Sequence, residues 1–123
     1  MSSDLPPKQW DIWFATLREG TKGEQTGPHN VLVLSSPRVQ RASGVVVVAP
    51  ITSMPREAPW IVKIEPQDGG IELVSYIECH QLQALSPSPA RFRTFRKRLS
   101  PEKRSEVTLA LQSVFHGALP ESG

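Results

Sequence analysis

Two runs of branched apolar residues, Val31-Leu32-Val33-Leu34 and Val45-Val46-Val47-Val48-Ala49, fix most of what this chain can fold into. Runs that are continuously apolar and β-branched, rather than alternating, predict strands covered on both faces. A strand at about 9–17 precedes them, with Trp10, Ile12 and Phe14 alternating in the period of a half-buried strand. The second strand is expected at about 30–36 and the third at about 45–51, with a turn-rich loop over 36–44 between them. A further strand at 60–65 leads into Gln67-Asp68-Gly69-Gly70, where Asp-Gly supplies the positive φ angles of a hairpin turn, and a partner strand follows at 71–79. Five short strands with hairpin-length connections imply a small, strongly bent antiparallel sheet or barrel.

The last quarter of the chain changes period. Ser100-Pro101-Glu102 is a helix start, with serine as N-cap, proline at the first helical position and an acid near the positive end of the dipole. Val107, Leu111, Val114, Phe115 and Ala118 then recur at spacings of three and four, a stripe that packs on the sheet until Gly117 and Pro120 close the helix. The fold class is therefore mainly β with a C-terminal α-helix, in a single domain over 8–119 with flexible ends at 1–7 and 120–123.

At 123 residues the chain has room for one modest core. Its twelve prolines, about twice the usual ~5% share, fall mostly at element ends. The single cysteine, Cys79, excludes an internal disulfide and argues against a thiol-based metal site; it is expected to be a buried structural thiol. Residues 1–7 carry neither a basic segment nor an apolar stretch, so no signal peptide is expected, and no apolar run approaches membrane-spanning length. A cytoplasmic protein without metal or cofactor is the expectation.

The net charge is only +2, but half of the fourteen cationic residues (Arg91, Arg93, Arg96, Lys97, Arg98, Lys103 and Arg104) lie within 91–104, interleaved with Phe92 and Phe95. Arginine with aromatics suits phosphate contact and base stacking. The alternatives are a docking surface for an acidic partner or a plain solvated face. Residues 18–29 form a polar, glycine-bearing loop between two strands, which puts the carboxylate of Glu24, the amide of Gln25 and the imidazole of His29 where binding and catalytic groups tend to sit. Glu24 has a second reading as a partner for backbone N–H groups of its loop, and Thr52 as a cap on the third strand. Trp10, Trp13 and Trp60 are read as core or dimer surface before base-stacking platforms. His116, near the helix end, is a cation favoured by the helix dipole.

An ordered set of short segments resembles the MazF/PemK family of toxin endoribonucleases over nearly the whole chain. Asp11-Ile12-Trp13 is similar to the family's opening Gly-Asp-Ile/Val-Trp/Tyr strand, with Trp10 in the glycine's place. Gly23-Glu24-Gln25-Thr26-Gly27 resembles its Glu-Gln-x-Gly loop, and Val31 to Ser35 its second strand. Val46 to Ser53 resembles its strand with a Thr-Ser ending, Glu78-Cys79-His80-Gln81 its x-Cys/Ala-Asp-Gln segment, and Arg98 to Glu102 the start of its last helix.

The resemblance implies an SH3-like barrel with a terminal helix and a homodimer. It implies metal-independent cleavage of single-stranded messenger RNA leaving a 2′,3′-cyclic phosphate, and an antitoxin whose disordered acidic tail occupies the RNA groove. Glu24 is then the loop carboxylate and Thr52 a hydroxyl donor to the scissile phosphate. Gln25, Ser53 and Gln81 become substrate-binding groups, the two glutamines suited to base edges or to holding the loop, with Arg91, Arg93 and Arg96 on the backbone.

One departure bears on chemistry. Where the family carries a catalytic arginine followed by proline, this chain has His29 and Asn30, and the family's aspartate is replaced by His80. Arginine is a permanent cation with a bidentate fork for phosphate, and histidine reproduces neither property fully. The sharpest expectation is that His29 and His80 form an acid/base pair for cutting RNA near neutral pH. The alternatives are an inactive nucleic-acid-binding protein and a gyrase-targeting protein on the same barrel.

Overall fold

In the computed structural model the apolar runs do lie in the middle of the sheet. The structure describes residues 5–20 and 25–117. Glu24, Ala118, Pro120 and the outermost ends expected to be flexible therefore lie outside the described residues. The elements, in chain order, are β1 (Asp11–Leu17), β2 (Gly27–Val33), α1 (Pro37–Ser43), β3 (Val46–Thr52), β4 (Ile61–Ile64), α2 (Pro66–Gly69), β5 (Ser75–Glu78), β6 (Gln83–Leu85), β7 (Phe92–Arg98) and α3 (Pro101–Val114). Seven antiparallel strands form one open sheet in the order β4-β5-β3-β2-β1-β7, with β6 also paired to β3. The mainly β architecture with a terminal helix is as the sequence predicts. The strand count is seven rather than about five, and the hydrogen-bonded path does not close.

Each face of the sheet carries a core. Ile12, Leu32, Ala49, Ile51, Ile77 and Leu99 pack with Val107 and Ala110 of α3, while Trp13, Ala15, Val31, Val33, Val48 and Phe92 pack together on the other side. Leu5 is partly buried against the second cluster and Pro7 is buried, so the chain packs from residue 5 onward. Pro50 sits inside β3 at a gap between partners: pairing with β6 stops at Val48 and pairing with β5 starts at Ile51, so its missing N–H interrupts no ladder on that side.

Three local expectations are corrected. Residues 37–43 are a helix rather than a loop: Ser36 caps it by accepting from Val39 N–H at 3.4 Å, proline stands in its first turn, and the Gly44 N–H donates to the Gln40 carbonyl at 2.8 Å. These are the signals that announce α3, but α1 buries nothing and so has no apolar stripe to reveal it. The β4–β5 hairpin exists, yet its connection is the helical turn α2, and the left-handed residue is Gly70 (φ 65°) rather than the Asp68-Gly69 pair. On α3 the buried stripe is Val107 and Ala110, with Leu111 and Val114 partly buried; Phe115 is exposed. No helix among the described residues is long and apolar enough to cross a membrane.

Trp10 explains the glycine of the pattern it interrupts. Its φ is +75°, the left-handed region that glycine enters without strain. The conformation is held on both sides, since its N–H donates to Val33 O and its carbonyl accepts from Leu99 N–H, both at 2.8 Å.

Candidate active site

β2 begins at Gly27, so His29 is a strand residue and not a loop residue as the spacing suggested, while Asn30 lies in the strand as expected. In register, His29 faces Ala15 on β1, and Asn30 lies between Phe14 on β1 and Ile51 on β3. The ends of β2 and β3 border a cleft of about 340 Å³ lined by His29, Asn30, Thr52, Ser53, Glu72 and Arg96 among others.

His29 Nδ1 lies 3.3 Å from the carbonyl oxygen of Ile51. A carbonyl only accepts, so the ring nitrogen there is assigned as N–H, which leaves Nε2 as the nitrogen that exchanges a proton. Thr52 ends β3, and its hydroxyl oxygen accepts from Met54 N–H at 3.1 Å. It caps the strand, as its simpler reading has it, and still carries an O–H to donate. Arg96 reaches the cleft from β7: its Nε donates to Asn30 Oδ1 at 3.1 Å and its guanidinium carbon stands 5.3 Å above the centre of the Phe14 ring.

His80 is placed elsewhere. It is exposed on the turn after β5, with its ring centroid 6.0 Å from that of Trp60, and it does not line the cleft. β5 ends at Glu78, and Cys79 turns into the core with the cleft on neither side of it. The expected pairing of His29 with His80 in one cleft is thus not what the fold makes. Burial pushes the Cys79 thiol up to about 12, as a structural thiol requires.

The residue of that segment that reaches the loop after β1 is Glu78, which sequence reasoning passed over. Its carboxylate is buried, accepts from Gln25 Nε2 at 2.5 Å and pairs with Arg56 Nε at 3.0 Å. Gln25 therefore holds the loop through its side-chain amide. Gln83 completes the clamp: its Oε1 accepts from Arg18 N–H at 3.0 Å and its Nε2 donates to Gln25 O at 2.8 Å, so one amide fastens both described ends of the loop that carries Glu24. Gln81 is partly buried, with its backbone N–H on Glu78 O.

The basic segment proves to be mostly β7, a strand concealed by its charges. Phe92 and Phe95 pack edge-on against Trp13, which leaves Arg93 between them outside. Arg91 Nη1 donates to Thr16 O at 2.6 Å beside a different hollow, Lys97 Nζ donates to Gln67 O, and Arg104 Nε donates to Leu99 O at 2.9 Å. Carbonyl partners orient these side chains without cancelling their charge; Lys103 alone of the seven has a described ion pair, with Glu106. Arg93 is exposed on β7. Of Arg91, Arg93 and Arg96, the cleft is lined by Arg96. Among the described residues, no three His, Cys, Asp or Glu side chains are grouped to hold a metal ion.

Comparison with known proteins gives a consistent result. Residues 8–115 match the family model of PemK-like, MazF-like toxins of type II toxin–antitoxin systems. No curated protein matches the chain. Among solved structures, MazF from Deinococcus radiodurans superposes with a TM-score of 0.75 at 20% identity, covering 91% of this chain and 98% of that one. An endoribonuclease from a mycobacterial species gives 0.73 at 18% identity over 96% and 97% of the two chains. A mycobacterial endoribonuclease in complex with its cognate antitoxin gives 0.72 at 19% identity, covering 94% and 99%.

Proposed function

This chain belongs to the PemK-like, MazF-like toxins of type II toxin–antitoxin systems, and from that premise we propose that it is a metal-independent endoribonuclease that cuts single-stranded messenger RNA. The observation that carries the reading is one cleft lined by an imidazole, two hydroxyls and a guanidinium: His29, Thr52, Ser53 and Arg96. These groups supply proton transfer, hydrogen bonding and positive charge, which are what RNA transesterification needs.

In the proposed step the ribose 2′-oxygen forms a bond to phosphorus and its proton passes to the carboxylate of Glu24. The bond from phosphorus to the 5′-oxygen breaks, and that oxygen takes a proton from Nε2 of the His29 imidazolium. The products are a 2′,3′-cyclic phosphate and a 5′-hydroxyl, with one proton taken and one given. The Thr52 and Ser53 hydroxyls donate to the phosphate oxygens. The assignment supports His29 as acid because the Ile51 carbonyl holds Nδ1 as N–H, so that a protonated ring has its transferable proton on Nε2.

The partner is proposed to be a small antitoxin whose acidic disordered tail occupies the same cleft, as charge complementarity with Arg96 favours. A homodimer in the cytoplasm is the proposed assembly. Expression of the chain is expected to arrest growth and to yield RNA fragments with cyclic phosphate ends. An arrested culture with intact RNA would instead support a toxin that acts by protein contact.

A further inference from the structure

The two departures at positions 29 and 30 are joined through a third residue. Histidine at 29 removes a permanent cation from the cleft, and Asn30 stands where the family pattern has proline. In the sheet, Thr94, Phe14, Asn30 and Ile51 form one row across β7, β1, β2 and β3. Arg96 reaches across β1 from β7, its guanidinium over the Phe14 face, to give its Nε hydrogen to Asn30 Oδ1 at 3.1 Å. Proline at 30 offers no side-chain acceptor for that bond. The guanidinium thus reaches the cleft that His29 and Thr52 line, and its Nη groups carry four further N–H donors in the geometry that suits phosphate.

We propose that Arg96 supplies the permanent positive charge on the scissile phosphate that the family pattern assigns to position 29, and that Asn30 is its positioning residue. The inference rests on the nuclease reading and deepens it. His29 transfers a proton while Arg96 holds the charge that develops on the phosphorane oxygens. One arginine's two duties are divided between two residues, and the substitution of Asn for Pro is part of the same rearrangement. The Phe14 face holds the guanidinium over β1 and limits how far it swings.

The experiment measures single-turnover cleavage of a labelled single-stranded RNA by the full chain. In parallel it measures binding of the same RNA carrying 2′-deoxyribose at the cleavage site, at several salt concentrations. Arg96→Ala is expected to slow cleavage by about 10²- to 10³-fold and to lower the salt slope of binding by about one. Arg96→Lys keeps the charge but not the fork, so it should recover only part of the rate. Asn30→Ala should lower kcat about tenfold and leave the salt slope intact, because the charge remains while its aim is lost. The decisive variant is His29→Arg combined with Arg96→Ala, which restores a cation at the family position and should cleave at least tenfold faster than Arg96→Ala alone.

Cleavage by Arg96→Ala within threefold of wild type overturns the inference while leaving the nuclease reading standing. So does a double variant no faster than Arg96→Ala. Absence of cleavage by wild type overturns the nuclease reading instead; Arg96 is then judged by binding, where an unchanged salt slope refutes the phosphate contact and a slope lowered by one supports it.

Discussion

Glu78 and Arg56 form an ion pair of 3.0 Å in which the glutamate side chain is 2% exposed and the arginine 44%. The carboxylate also accepts from Gln25, so it ties the loop after β1 to the loop after β3. Removing Arg56 costs more than its exposure suggests, because the Glu78 charge left behind is still out of water. Arg56→Ala is expected to lower unfolding free energy by about 2–4 kcal/mol. Glu78→Gln, which removes the charge and keeps an acceptor for Gln25, is expected to cost less. Urea denaturation checks the order, and equal losses in the two variants would contradict the cost of the unpaired buried charge.

The position of His80 beside Trp60, away from the cleft, separates the two histidines by role. His80→Ala is expected to cleave RNA within threefold of wild type, whereas His29→Ala should lose at least a hundredfold. Single-turnover cleavage rates of the two variants check the separation, and equal losses in both would contradict it.

Cys79 is protected by its burial. The folded thiol holds its proton up to about 12, against an ordinary value of 9.0. Between these values the unfolded chain binds fewer protons than the folded one, so stability falls as pH rises from near 9, by about 1 kcal/mol per pH unit. Well below pH 9 the thiol contributes no pH dependence. Iodoacetamide at pH 8 should label Cys79 only in denaturant, and Cys79→Ala should flatten the alkaline loss of stability.

Gly70 is irreplaceable in a way that Gly69 is not. A Cβ on Gly70, at φ +65°, would meet Lys97 Cβ at 2.9 Å and the Arg96 carbonyl oxygen at 3.0 Å, whereas Gly69 has no positive φ and a Cβ there would meet side chains alone, the end of Ile12 at 2.6 Å first. Gly70→Ala is expected to cost about 2–3 kcal/mol and to slow cleavage, since it displaces the strand that delivers Arg96. Thermal melts and cleavage rates should move together; a destabilised variant with unchanged cleavage would break the link.

What was legible in the sequence follows from range. The central strands were visible because burial on both faces writes itself as Val31–Leu34 and Val45–Ala49, and α3 because its cap and stripe are local. β7 was hidden because its outward residues are nearly all cationic and a bulged register breaks its alternation. α1 carried the correct cap without a buried face. His29 and Thr52 could be matched to a family pattern, but nothing local to Asn30 points to Arg96, 66 residues away, or from Gln25 to Glu78, 53 residues away. Such pairs exist only once the sheet order brings β7 and β5 to the ends of β2 and β3.

The most direct test of the central claim is cleavage of a labelled single-stranded RNA by the purified chain in excess EDTA, with His29→Ala alongside and the product ends identified. The account predicts that wild type cleaves, leaves 2′,3′-cyclic phosphate, and loses at least a hundredfold in rate when the imidazole is removed. Wild type that binds RNA without cutting it, or a His29→Ala protein that cuts at the wild-type rate, would contradict it.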